Sequence, residues 1–258
     1  MNDKHEERLS EHWVQSCGES LKYVLRSPNN ARLHEKPLLL ITVGADWKTP
    51  LLTKPYRTTA DGFLANGHYA LSFDIPCHGE RVEPYGEGIN GFRNAWQAGD
   101  DPFERFVRDA TAVIDDCIRL GFAFPGKIVI CGASRGAYLA FRLLVADSRV
   151  ACAAGFAPVT DWRALNEFDS IKERPDVEAL KLHNYVDRLS GKRLFIGIGN
   201  DDSRVSTLSC CKLYTELTEH NLSRGYPESL VEFYCTDDRG HTMGDYWYDK
   251  GTTFLLNG

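Results

Sequence analysis

The chain lacks any run of about 18 apolar residues, so the sequence offers no membrane-spanning helix. Its first ten residues, Met1 to Ser10, are polar and hold none of the apolar core that a secretory signal needs, which predicts a protein that is not exported. Basic residues are in the minority: 30 Lys and Arg face 36 Asp and Glu, a formal net charge of −6, and no basic stripe interrupts the mixture. Neither nucleic acid nor an anionic membrane surface is therefore expected as a partner, because neither polyanion would attract a chain of this sign. Eight cysteines are present, but they form no CxxC pair and no disulfide rhythm. Most sit in apolar stretches such as Ala151-Cys152-Ala153, as buried thiols would in a reducing, cytoplasmic compartment.

Cofactor signatures are missing too. Gly86, Gly88 and Gly91 have dinucleotide spacing but lie in a polar loop, not between a strand and a helix. Asp74, His78 and Glu80 are close in sequence and match no metal-ligand spacing. No metal and no cofactor is expected. There is no internal repeat and no low-complexity tract, and 258 residues with 43% hydrophobic content suit one core, hence a single domain over 1–258.

What the chain does contain is an alternation of strands and helices. Trp13-Val14 and Leu21 to Leu25 suggest a hairpin ended by the turn Ser27-Pro-Asn-Asn30. Leu38 to Val43 is a continuous apolar run of the kind buried on both faces of a parallel sheet. A helix or partly helical crossover over Leu51 to Asn66, a strand from Tyr69 to Ile75 and a glycine-rich loop from Pro76 to Gly99 follow. Asp101-Pro-Phe-Glu104 combines an N-cap, a first-turn proline and a glutamate three residues on, so a helix starts there and runs to Gly121. Further strands are expected at Ile128–Cys131, Val150–Phe156, Arg193–Ile198 and Ser229–Tyr234, with helices after Ser134, from Ser206 to Glu219 and from Asp245 to Leu256. The polar stretch from Ala157 to Gly191 is too long for a simple connection and predicts a small helical cap above the sheet. The rhythm implies an α/β fold: about eight strands, mostly parallel, with helices on both faces.

One stretch carries the chemistry. Ile128 to Cys131 runs into Gly132-Ala-Ser-Arg-Gly136 and then into an apolar helical pattern, which is G-x-S-x-G between a strand and a helix. A serine at such an apex is a candidate nucleophile, and it needs a histidine base oriented by a carboxylate. In this arrangement the partners follow in the order Ser, acid, His, each in a loop after a later strand. His241, in the loop after Tyr234, is the candidate base; His220 falls at the end of a helical pattern. For the acid, Asp201 and Asp202 compete, with Asp237 and Asp238 as outsiders.

Gly132-Ala-Ser-Arg-Gly136, Gly199-Asn-Asp-Asp-Ser-Arg-Val205 and Gly240-His241 together resemble the α/β-hydrolase superfamily, most nearly its prolyl oligopeptidase-like and dienelactone hydrolase-like branches. The resemblance covers roughly residues 37–258, including Phe73-Asp-Ile-Pro-Cys-His-Gly-Glu80, which is similar to the D-x-x-G-x-G segment after the family's fourth strand. It implies an α/β-hydrolase fold and favours Asp202, because the acid loop of those branches reads G-x-x-D-x-x-V, matching Gly199, Asp202 and Val205. In place of the His-Gly-Gly common in the family stands Val43-Gly44-Ala45. The oxyanion hole is then expected from the backbone N–H groups of Arg135 and Ala45, with Asp46 as the alternative to Ala45. Trp47, His78, Arg81, Trp162 and Arg204 are the candidates for substrate binding, and several arginines near the site would suit a substrate carboxylate.

The prolyl peptidases of this family carry a large N-terminal domain, whereas about 36 residues precede the first core strand here, and the dienelactone hydrolases use cysteine where Ser134 stands. The expected activity is hydrolysis of a small ester or lactone through Ser134, His241 and Asp202. Thioester or short-peptide cleavage and ligand binding without turnover are the rival readings.

Overall fold

The structure, a computed structural model, describes residues 8–28, 33–242 and 244–258. The polar start over residues 1–7 and the turn positions Asn29 and Asn30 lie outside the described residues. Eight strands, β1 (Arg8–Ser16), β2 (Glu19–Ser27), β3 (Leu39–Val43), β4 (Tyr69–Phe73), β5 (Ile128–Ala133), β6 (Val150–Phe156), β7 (Arg193–Asp201) and β8 (Val231–Arg239), form one sheet in the order β1-β2-β4-β3-β5-β6-β7-β8. β2 runs antiparallel to both β1 and β4; every later pairing is parallel. The hairpin turns on Cys17 and Gly18, at φ 51° and 81°, the two positive-φ residues that a tight turn between twisted strands requires. All five residues of β3 are buried, as expected of a strand covered on both faces.

The order reverses at β3, which pairs with β4 on one side and β5 on the other. Loops leaving the carboxyl ends of β3 and β5 must part there, and the crevice between them is where open α/β sheets place their sites.

The helices are α1 (Lys48–Leu52), α2 (Thr58–Ala65), α3 (Gly88–Gln97), α4 (Pro102–Arg119), α5 (Arg135–Ala146), α6 (Pro175–Glu178), α7 (Val186–Leu189), α8 (Thr207–Ser223) and α9 (Asp245–Leu256). At the start of α4 the Asp101 carboxylate accepts the N–H groups of Phe103 (2.9 Å) and Glu104 (3.0 Å), a cap worth about 1 kcal/mol. From there Phe103, Phe106, Ala110, Val113, Ile114 and Cys117 bury one face of the helix against the sheet.

Three expectations change in detail. The crossover over Leu51 to Asn66 is two helices, α1 and α2, separated by a segment holding Pro55. The glycine-rich loop contains a ten-residue helix, α3. β7 and β8 each run further than their apolar cores, to Asp201 and Arg239. The cysteines divide as well: five are buried and Cys211 is half-buried, whereas Cys17 is exposed at the hairpin corner and Cys235 on the edge strand β8.

Residues 157–191 form 3₁₀ turns and the short helices α6 and α7. This segment is anchored by Trp162, whose ring packs against Phe92, Phe103, Tyr138 and Phe168 with centroids 4.8 to 5.7 Å apart. The Tyr138 hydroxyl donates to Leu180 O at 2.8 Å and ties α5 to the same segment. No described helix is long and apolar enough to cross a membrane.

Candidate active site

Ser134 stands between the last residue of β5 and the first of α5, at φ 54° and ψ −119°. A non-glycine residue held there costs roughly 1–3 kcal/mol, so the surroundings must hold it. They do so through the backbone: the Ser134 N–H donates to Phe156 O (2.8 Å), and its carbonyl accepts the N–H groups of Ala137 (3.1 Å) and Val159 (3.2 Å). The two motif glycines are required by close approach. A Cβ on Gly132 would lie 2.4 Å from the Gly136 carbonyl carbon, and one on Gly136 would lie 2.3 Å from Val43 O.

Asp202 follows β7 with its side chain fully buried. One carboxylate oxygen accepts the N–H groups of Arg204 (2.9 Å) and Val205 (3.2 Å); the other meets His241 Nδ1 at 2.8 Å. Thr207 fixes this loop, its hydroxyl accepting the Asp202 N–H (3.0 Å) and donating to Gly199 O (2.6 Å). The competing aspartates are engaged elsewhere. Asp201 has an exposed side chain, and its carbonyl accepts the Gly240 N–H at 2.9 Å, which anchors the turn before His241. Asp237 accepts from Asn200 Nδ2 (3.0 Å) and Asp238 from the Thr236 hydroxyl (2.5 Å). A carboxylate on Nδ1 fixes the imidazole proton there and leaves Nε2 as the basic nitrogen.

Ser134 and His241 line one cleft of about 220 Å³, together with Ala45 and Arg135. Its other walls include Pro50, Tyr56, Phe156 and Tyr248. Among the described residues, the N–H groups of Arg135 and Ala45 have no backbone acceptor, which leaves two donors free at the cleft. Asp46 does not line it. Its carboxylate accepts the N–H groups of Lys48 (2.8 Å) and Thr49 (2.9 Å) and so starts α1. The Trp47 N–H donates to Asp74 (2.9 Å), whose second oxygen accepts the Glu80 N–H (2.8 Å), so the loop after β3 is held from both ends. A Cβ on Gly79 would come within 2.2 Å of that carboxylate, which explains the glycine in this segment.

The five side chains expected to bind substrate do not line this cleft. Trp47 lies beneath Lys22 and Lys48, 6.0 and 5.6 Å from its ring. His78 is buried edge-on to Phe92, with Nδ1 at 2.8 Å from Pro76 O. Burial, reinforced by the charge of Arg135, pushes its imidazole down to about 4, so it is neutral at pH 7. Arg81 pairs with Asp109 at 2.8 Å and lines a different hollow. Trp162 is the centre of the aromatic cluster and has no exposed surface. Arg204 donates to both oxygens of Glu167, at 2.6 and 2.8 Å. Each of these side chains found a structural partner. The walls that sequence reasoning missed, Tyr56, Phe156 and Tyr248, come from three separate segments, and no spacing marks them. For the Arg135 side chain the signal was present, since it adjoins Ser134.

Among the described residues no group of three or more His, Cys, Asp and Glu side chains could hold a metal ion. The chemistry that the arrangement offers is a half-buried serine, an oriented imidazole and free N–H donors around one cleft.

The sequence profile of the alpha/beta hydrolase family matches residues 40–255. No curated protein matches the sequence. Among solved structures the chain is similar to an esterase of Pyrococcus furiosus (TM-score 0.66, 19% identity, 98% of this chain and 91% of that one). It is also similar to a cold-adapted esterase from an Arctic intertidal metagenomic library (TM-score 0.69, 17% identity, 99% and 97%) and to puromycin hydrolase (TM-score 0.71, 15% identity, 99% and 39%). The chain spans 39% of the length of puromycin hydrolase and 36% of a matched chain from Bacteroides ovatus. At 15 to 19% identity these likenesses show a shared fold. The profile match runs from the first parallel strand to the last helix, over the same sheet that carries the elbow at Ser134, and the chain belongs to the alpha/beta hydrolase family.

Proposed function

We propose that the protein is a serine hydrolase that cleaves a small carboxylic ester or lactone through an acyl-enzyme. The observation that carries this reading is the pairing of Ser134, at positive φ on the strand-to-helix turn, with His241 in the same cleft, its Nδ1 2.8 Å from the buried Asp202. Ser134 Oγ attacks the carbonyl while His241 Nε2 takes its proton and delivers it to the leaving alkoxide. Asp202 holds the imidazole and stabilises its charged form. The N–H groups of Arg135 and Ala45 receive the oxyanion, each donor being worth roughly 3–4 kcal/mol of barrier. Water then enters, His241 takes a proton from it, and the acid leaves as Ser134 recovers its own. No step draws on a cofactor.

The cleft, about 220 Å³, is smaller than most drug-sized pockets, and its apolar walls suit a short acyl or alkyl group. Cleavage of a short amide is the second reading, favoured by the likeness to puromycin hydrolase. The free cysteines fit a cytoplasmic setting.

Intact-mass analysis after a fluorophosphonate probe tests the proposal. Wild type is expected to gain one adduct, Ser134→Ala none, and His241→Ala to react slowly. Folded wild type that takes no adduct would sink the reading in favour of a ligand-binding role. Matched oxygen ester, thioester and amide substrates then order the three chemistries.

A further inference from the structure

Arg135 is the only guanidinium lining the Ser134 cleft among the described residues. It has no ion pair among them, and its Nε is buried without a hydrogen-bond acceptor. The acids whose fields reach it are already committed. Glu167 gives both oxygens to Arg204, at 2.6 and 2.8 Å, and Asp46 caps α1. Asp202 holds His241. His78, the titratable ring beside the guanidinium, is neutral and can supply no counter-charge.

A half-buried cation with no ionic partner, its Nε shut off from water and from any acceptor, is costly, and a ligand that brings the counter-charge would offset that cost. A planar guanidinium is shaped for a carboxylate, which its two Nη groups can grip with two parallel hydrogen bonds. The wall formed by Pro50, Tyr56, Phe156 and Tyr248 offers the opposite character.

We infer that the substrate is a monoester of a short dicarboxylic acid: Arg135 binds the free carboxylate, Ser134 attacks the ester carbonyl, and the alkyl group lies on the apolar wall. This rests on the hydrolase reading above and names its substrate class. The ester C–O bond breaks as water adds, giving the dicarboxylate, the alcohol and one proton. A cleft of about 220 Å³ holds both Arg135 and Ser134 and leaves little room for a long chain between the carboxylate and the scissile carbonyl, so a short diacid is expected.

The test compares monoethyl glutarate with its uncharged primary-amide isostere on wild type, Arg135→Gln and Arg135→Lys. Within each protein the readout is the ratio of the two kcat/KM values, so a general loss of activity cancels. Wild type should favour the acid by roughly 10- to 100-fold, the range for a hydrogen bond to a charged group. Arg135→Gln should bring the ratio close to one, and Arg135→Lys should keep part of it. Equal values on wild type, or a preference that survives in Arg135→Gln, would overturn the assignment. If neither ester turns over and the serine takes no probe, the hydrolase reading fails separately. The carboxylate site is then decided by thermal unfolding with millimolar glutarate: a Tm rise in wild type that Arg135→Gln lacks supports it, and no rise removes it.

Discussion

Two hollows of this molecule differ in how far their polar groups are paired, and the larger of the two is the less promising. The hollow beside the β1–β2 hairpin, about 370 Å³, is lined by Lys22, Glu80, Arg81, Arg105 and Glu19 among others, and each of its three cations has an acid partner. Lys22 meets Glu80 at 3.0 Å, Arg81 meets Asp109 at 2.8 Å, and Arg105 meets Glu19. The cleft at Ser134, about 220 Å³, holds two free N–H donors, a guanidinium without an ion pair among the described residues, and an imidazole engaged at one nitrogen. Volume says where a ligand fits. Unfinished valence says where one is needed, because a folded protein otherwise satisfies the polar groups that it buries.

The sharpest test of this contrast replaces Asp202 by Asn. The amide keeps the shape of the loop but stabilises neither the Nδ1–H tautomer nor the imidazolium, so kcat on the best ester should fall by about 10⁴-fold with the fold intact. Steady-state kinetics beside far-UV circular dichroism checks both halves. A loss smaller than tenfold would remove Asp202 from the reaction.

Arg81→Gln probes the other hollow and should have the opposite signature. Asp109, whose side chain is 1% exposed, would keep only the Ser16 hydroxyl at 2.5 Å. Breaking a buried pair costs up to 3–5 kcal/mol, and because the Arg81 side chain is itself 16% exposed, about 2–3 kcal/mol is expected in urea unfolding. Ester kcat/KM should stay within about twofold, since mutations away from a site act mainly on stability. A large catalytic loss at unchanged stability would restore Arg81 to the site and break the contrast.

Backbone-borne features of the site were legible in the sequence, and those carried by long side chains were not. The apolar run Leu38–Val43 gave β3, and the spacing of Gly132, Ser134 and Gly136 gave the turn, because strand burial and close backbone approach leave few residue choices. Asp201 and Asp202 are neighbours that the residues alone do not separate, and the strand end is what divides them: β7 continues through Asp201, whereas the Asp202 side chain is buried and meets His241. Trp47, His78, Arg81, Trp162 and Arg204 have the chemical types that bind substrates, yet each reaches a partner outside the cleft. Helix α3 was hidden by its glycines, which normally mark loops. Gly91 serves packing instead, as a Cβ there would lie 2.1 Å from Gly86 O.

The smallest predicted effect concerns the backbone at Ser134. A serine at φ 54° and ψ −119° is held in a region that side chains avoid, and no hydrogen bond within the fold depends on its hydroxyl among the described residues. Glycine adopts this conformation without the clash, so Ser134→Gly should relieve part of the strain while abolishing covalent labelling. Glycine also loosens the unfolded chain, which offsets the gain by several tenths of a kcal/mol. The net expectation is a stabilisation of about 1 kcal/mol in urea unfolding, against a strain of roughly 1–3 kcal/mol. Ser134→Ala serves as the control, because it removes the same hydroxyl and keeps the Cβ. If both variants shift stability equally, the hydroxyl and not the backbone was the strained group, and the elbow would store nothing. If only the glycine variant gains, the fold keeps a destabilised residue at the one point where the proposed reaction needs a nucleophile open to the cleft, which the hollow beside β1 and β2, with its three cations paired, has no reason to do.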